Sequence, residues 1–209
     1  MDTAFLITAF VTLFVVIDPI GLAPLFVALT QGMQARARRA IALRACVIAV
    51  VILAAFGLFG EALLGFVGIS MPAFRIAGGL LLFLTALDML FERRTKRRQD
   101  NAGEATADVD HDDPSVFPLA IPLIAGPGAI ATMILLTGQK PGVEGFFLAM
   151  GVMVAVICVV LSLFLASGLI ERALGGTGIV VVTRLLGMLL AALSVQFVLD
   201  GLTAYGFAG

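Results

Sequence analysis

Six stretches of this chain are apolar over about 20 residues or more, the length of helix needed to cross the hydrocarbon core of a bilayer. They cover residues 4–30, 46–69, 71–91, 117–137, 145–169 and 179–202. Of the 209 residues, 61% are hydrophobic and only 13% are charged, about half the charge of an average soluble domain. A globule of this size has no interior large enough to hide so much apolar surface, so the lipid bilayer is its expected solvent. The sequence therefore predicts an all-α integral membrane protein with six transmembrane helices. The opening MDTAF has no basic residue ahead of the first apolar run, which predicts a retained span, not a cleaved signal. The formal net charge of −1 offers no basic surface and argues against a nucleic-acid partner.

The connections carry the charge, and they carry it unevenly. Arg36, Arg38, Arg39 and Arg44 fall between the first two spans; Arg93, Arg94, Lys96, Arg97 and Arg98 follow the third; Arg172 follows the fifth. All of these lie on one side of the membrane, and only Lys140 lies clearly outside it on the other. The positive-inside rule then places both termini on the non-cytoplasmic side. The third connection, 92–116, runs from basic ERRTKRRQD to acidic DVDHDD and has the composition of a solvated, flexible cytoplasmic loop. His111 stands there among Asp108, Asp110, Asp112 and Asp113, without the preorganisation that a metal site needs. No metal set and no cofactor is expected. The chain divides into a first three-helix unit (1–91), this loop, and a second three-helix unit (117–209).

The two units resemble each other. GEALLG (60–65) answers IERALG (170–175), and FRIAGGLLLFLTAL (74–87) answers TRLLGMLLAALSVQ (183–196). Glu61 matches Glu171, Arg75 matches Arg184, Gly78 matches Gly187, and Thr85 matches Ser194. At nearly the same separation Asp18-Pro19 matches Gly126-Pro127. Each unit has an odd number of spans, so the second enters the membrane from the opposite side. That is an inverted-topology repeat, and in secondary transporters with this architecture the substrate site lies near the midplane where the repeats meet.

The matched prolines predict breaks in the first and fourth helices, because proline removes an intrahelical hydrogen bond and pushes the residue before it out of helical geometry. In the first span Asp18 reads as an N-cap with Pro19 at the first helical position, accepting from the N–H of residue 20 or 21; Gly21 and Pro24 follow. In the fourth span Gly126 has no side chain with which to cap the helix that Pro127 begins. The N–H groups of Gly128 and Ala129 then form an anion-binding terminus, with the Thr132 hydroxyl one turn further on. Asp18 for an ammonium and the Gly126 break for a carboxylate would suit a zwitterion, and the glycines favour a small one. Other polar residues have two readings. Arg75 and Arg184 either snorkel to the interface or hold a carboxylate. Glu61, Glu171 and Asp88 sit at span ends, where an interfacial charge or a gating or coupling role would both fit. Gln196 is costly in lipid unless paired, so it is a candidate for the pathway lining.

The segments FVVIDPIGLAPLF (14–26), PLAIPLIAGPGAIATM (118–133) and RIAGG (75–79) resemble the MarC family of bacterial inner-membrane proteins, and the likeness extends over all six spans. That family belongs to a wider group of small transporters that includes a lysine exporter, and some members are described as neutral amino acid transporters. The resemblance implies a secondary transporter, exporting by analogy, for small neutral amino acids such as glycine, alanine or serine. A carrier of another small metabolite or of a drug is the alternative. A membrane thiol–disulfide electron carrier would need reactive thiols, and Cys46 and Cys158 are both embedded in apolar runs. No nucleophile–base pair marks the chain as an enzyme. Oligomeric state is open.

Overall fold

The computed structural model describes residues 2–92 and 113–207, with the backbone alone for 2, 169–172 and 174. The basic-to-acidic loop, with His111, lies outside the described residues apart from its ends. The described chain is helical throughout its ordered elements: α1 (Asp2–Ile17), α2 (Pro19–Leu29), α3 (Ala35–Val67), α4 (Met71–Leu90), α5 (Ser115–Ile124), α6 (Pro127–Gln139), α7 (Val143–Leu165) and α8 (Ser167–Tyr205). Five segments are long and apolar enough to cross a membrane, or six when the bent pair α5–α6 counts as one span.

Two spans are longer than their apolar cores. α3 starts at Ala35 and not near residue 46, so its 33 residues extend about 50 Å against a hydrocarbon core of about 30 Å. Its first turns carry Arg36, Arg38, Arg39 and Arg44 among alanines, which are strong helix formers, and these turns stand in the interface. α8 likewise starts at Ser167, and Gly175 kinks it with φ 61° and ψ 174°; the membrane-crossing part is Gly175–Tyr205.

Helix packing interleaves the first four segments with the last four. α3 packs on α5, α6 and α7; α1 packs on α6, α7 and α8; α2 packs on α7 and α8; and α4 packs on α6 and, most extensively, on α8. Leu13, Ile17, Leu22, Phe26, Leu53, Leu82, Met133 and Phe164 are fully buried in the core this creates. Large apolar side chains such as Phe59, Leu84 and Leu189 face outward, as a helix in contact with lipid requires.

The α4–α8 pair is antiparallel and closely approached through small residues, as is common in membranes. A methyl group at Gly79 would lie 2.8 Å from the Ser194 carbonyl oxygen, one at Gly201 would lie 3.1 Å from the Pro72 carbonyl oxygen, and one at Gly187 would lie 2.9 Å from Met89 Cβ. Gly79 thus serves the α4–α8 contact, while Gly78 packs against Leu135 of α6. Because the obstacle at Gly79 is backbone, Gly79→Ala is expected to lower the unfolding midpoint in detergent by about 3–10 °C. Gly151, in the middle of α7, has open space at its Cα, so Gly151→Ala should leave the midpoint unchanged or raise it. A Gly79→Ala protein as stable as the parent would show that the helices do not pack this closely.

Candidate functional site

Asp18 is the single residue between α1 and α2. It adopts left-handed backbone geometry, φ 57° and ψ 63°, a region that aspartate visits more readily than most residues because its short side chain bonds locally. The Asp18 N–H donates to the Phe14 carbonyl at 2.9 Å and its own carbonyl accepts from the Leu22 N–H at 3.0 Å. Its carboxylate caps α2 by accepting the Gly21 N–H at 3.1 Å. The cap expected from Asp18-Pro19 is present, with Gly21 as the donor. A side chain at Gly21 would run into that carboxylate, so glycine there leaves room for the cap. Asp18 and Pro19 are buried and Gly21 and Pro24 half-buried. α1 and α2 run on as one apolar segment, Thr3–Leu29, without the sharp bend of the fourth span.

The fourth span is broken far more severely. α5 and α6 meet at 56°, and α5 is a kinked, irregular segment with wide bonds from Leu119 N–H to the Pro114 carbonyl and from Ala125 N–H to the Ala120 carbonyl. Phe117 (φ −124°, ψ 126°) and Ile121 (φ −125°, ψ 127°) are extended inside it, each immediately before a proline, where α geometry is disfavoured. The sequence reading placed one break here, at Gly126-Pro127. The distortion in fact begins at Phe117, because Pro118 and Pro122 act as well. Gly126 itself is the N-cap of α6 with φ −80° and ψ 171°, and no side chain caps the helix. The first bond that closes α6 runs from the Ile130 N–H to the Gly126 carbonyl at 3.0 Å. A methyl group at Gly126 would lie 2.5 Å from the Pro122 carbonyl oxygen, so glycine is a steric requirement of the bend. Pro127 is exposed, Gly128 half-buried and Ala129 buried.

The two breaks are neighbours. A methyl group at Gly128 would lie 3.1 Å from Val16 Cγ1, 3.7 Å from Leu82 Cδ2 and 3.8 Å from Thr85 Oγ1, so the start of α6 abuts the end of α1 and the middle of α4. Val16, Leu82 and Thr85 border the site without having been picked out from the sequence. Only Thr85 carried a signal, as the repeat partner of Ser194. Thr132 lies in the same helix, fully buried, but its hydroxyl donates to the Gly128 carbonyl of its own helix at 2.8 Å, so its proton is held there. Thr85 does the same to the Leu81 carbonyl at 2.9 Å.

The remaining candidates lie on α3, α4 and α8; Asp88 is one turn beyond Thr85 on α4. Arg184 is exposed and pairs with Glu92 at 2.7 Å. Arg75 is half-buried at the opposite end of the bundle, and its Nε is buried without a hydrogen-bond partner among the described residues. Asp88 is half-buried in the last turn of α4 and Glu61 is exposed near the end of α3. The Glu171 side chain lies outside the described residues. Gln196 projects from the exposed face of α8 and donates to Asp200 Oδ1 at 2.7 Å, which pairs it within its own helix at a distance from the breaks. Cys46 is buried and Cys158 exposed, and both thiols are free. Among the described residues no cluster of His, Cys, Asp and Glu could hold a metal ion.

Comparison with known proteins adds the lineage. The chain is 34% identical over 203 residues to a UPF0056 membrane protein of Methanocaldococcus jannaschii, covering 97% of this chain and 98% of that one. It is 37% identical over 202 residues to the UPF0056 membrane protein YvbG of Bacillus subtilis, covering 97% and 96%. It is 34% identical over 203 residues to the UPF0056 inner membrane protein YhgN of Escherichia coli K12, covering 94% and 95%. No solved structure gives a significant match. The family description that fits is "MarC family integral membrane protein", matched over residues 3–205, nearly the whole of the described bundle. On that match, and on a fold made of membrane-length apolar helices, this chain belongs to the MarC family of integral membrane proteins.

Proposed function

We propose that the protein is a secondary transporter of small neutral amino acids that binds its substrate between the two helix breaks and works by alternating access. The observation that carries this reading is the juxtaposition of the breaks, with Gly128 of one against Val16 beside the other. One break carries a buried carboxylate, Asp18. The other begins a 13-residue helix that no side chain caps, a terminus that favours an anion. An ammonium near Asp18 and a carboxylate at Gly128 and Ala129 would give the two ends of an amino acid complementary surroundings. Leu82 and Thr85 crowd the space and favour glycine, alanine or serine over larger side chains.

The packing supports an inverted repeat of six spans, α1–α2, α3 and α4 answered by α5–α6, α7 and α8. Exchanging the halves turns the α3–α6 contact into α7–α2, α3–α5 into α7–α1, and α4–α6 into α8–α2, and all of these contacts are present, whereas α1–α6, α1–α8 and α6–α7 have no comparable counterpart. The α4–α8 and α3–α7 contacts map onto themselves. Three links between the halves lie at the arginine-rich end: Arg184 with Glu92, Arg44 with Asp113, and Arg38 with Ser167. The two ion pairs among them are exposed and contribute only about 0–1 kcal/mol each, weak enough to break and re-form as one half rocks against the other. The positive-inside rule makes that end cytoplasmic and sets both termini in the periplasm of an inner membrane. Export follows by analogy with the wider transporter group. Burial of Cys46 in the core disfavours a thiol–disulfide carrier, whose thiols must be reached.

The test is substrate counterflow in proteoliposomes, with a panel of amino acids and drugs, for the parent and for a variant in which both cysteines are serine. Saturable exchange of glycine, alanine or serine by both proteins is expected. Exchange of drugs alone, or loss of exchange in the cysteine-free variant, would sink the reading.

A further inference from the structure

The arginine-rich end holds a cavity of about 370 Å³ that the transport reading does not use. It opens between α2, the first turns of α3 and the α7–α8 junction, and is lined by Phe26, Arg38, Arg39, Phe164, Leu165 and Ser167 among others. Its inner wall is aromatic: the Phe26 and Phe164 rings stack with centroids 4.5 Å apart and 4° between planes. Arg38 is held in place twice. Its guanidinium carbon lies 5.7 Å from the centre of the Phe26 ring, and its Nη2 donates to Ser167 Oγ at 3.3 Å. Ser167 is itself 1% exposed.

Charge balance and position together single these arginines out, since Arg36 also makes no ion pair among the described residues but does not line the cavity. At the same end Arg44 is paired with Asp113 and Arg184 with Glu92. Among the described residues neither Arg38 nor Arg39 makes an ion pair, and the cavity wall contains no carboxylate. Two cations at the mouth of a half-apolar cavity, facing no carboxylate among the described residues, favour an anionic ligand. The guanidinium fork matches the oxygens of a phosphate in bidentate geometry. Half-exposed Leu165 beside them gives an apolar edge that a free inorganic ion would not need. Basic pockets between transmembrane helices on the cytoplasmic side are suited to the head groups of anionic lipids.

We propose that this cavity binds a phosphate-bearing anion, held by Arg38 and Arg39, with Ser167 fixing the Arg38 guanidinium. An anionic phospholipid of the surrounding leaflet and a free phosphate ester share that chemistry, and the experiment separates them. The full chain is purified in detergent and its unfolding midpoint is followed while phosphatidylglycerol, phosphatidylcholine, inorganic phosphate, glycerol 3-phosphate or acetate is titrated in. The parent is compared with Arg39→Gln, a substitution at an exposed residue, and with Arg38→Gln/Arg39→Gln.

A concentration-dependent upward shift with phosphatidylglycerol but not phosphatidylcholine is expected. Its apparent affinity should weaken roughly tenfold or more in Arg39→Gln and the shift should vanish in the double variant. The same arginine-dependent shift from glycerol 3-phosphate or inorganic phosphate would support the site with a free phosphate as its source. A shift from acetate alone, a shift equal in the parent and both variants, or no shift with any phosphate would overturn it. The Arg39→Gln arm keeps the result readable if the double variant is unstable in detergent. None of these readouts depends on transport.

Discussion

Asp18→Asn is expected to fold, insert and unfold much like the parent while losing most of its transport. Asparagine tolerates left-handed geometry and caps helices as well as aspartate does, so its side-chain oxygen can still accept the Gly21 N–H. What it removes is the charge. If the carboxylate receives the substrate ammonium, exchange of alanine or serine should fall by about 10- to 100-fold, the worth of a hydrogen bond to a charged group. Asp18→Ala should add a structural defect. The lost cap costs about 0.5–2 kcal/mol, and alanine at φ 57° costs about a further 1–2 kcal/mol of backbone strain. The two variants together separate cap from charge. Wild-type exchange by Asp18→Asn, at equal protein in the vesicles, would remove Asp18 from substrate binding and leave it as a cap alone.

The second large effect is expected at Gly126. There a methyl group would meet the Pro122 carbonyl oxygen at 2.5 Å, and a backbone atom inside a proline-bounded turn cannot rotate away. Gly126→Ala must therefore open the 56° bend between α5 and α6, or displace Pro122, at a cost of about 1–3 kcal/mol. Either movement re-aims the Gly128 and Ala129 N–H groups, and misplacement of about 1 Å at a binding site can cost about 100-fold in rate. Gly128→Ala meets only the flexible Val16 side chain, at 3.1 Å, and should be milder in both stability and exchange. Measuring exchange and unfolding midpoint for both proteins decides the point. Equal behaviour of the two variants would show that the bend does not set the site.

The fold was legible from the sequence because lipid imposes a simple rule. Backbone groups must bond within their own helix, and side chains facing lipid must be apolar, so every span announces itself as a long apolar run. Helix ends outside the lipid follow no such rule. The arginine-bearing start of α3 was taken for connection because its charge masked a good helix-forming sequence. The same local logic made Asp18 readable: a proline after an aspartate specifies both a break and its cap. It failed in the fourth span, where Pro118, Pro122 and Pro127 act together. Three prolines within ten residues say that ordinary winding will fail, but not that the chain settles into a kinked segment with wide i→i−5 bonds.

Sequence alone thus determined that this chain crosses a membrane, where its charge lies, and that two of its spans contain proline breaks, since each follows from residues within a few positions of one another. Tertiary structure decided which groups meet. It brought Gly128 against Val16. It sent Gln196 to the outer face of α8, and it gathered Arg38, Phe26, Phe164 and Ser167 around one cavity. Those outcomes depend on helix rotation and on close packing between segments more than a hundred residues apart. A helical period fixes which residues share a face, but only the fitting of one helix surface into another fixes what that face touches.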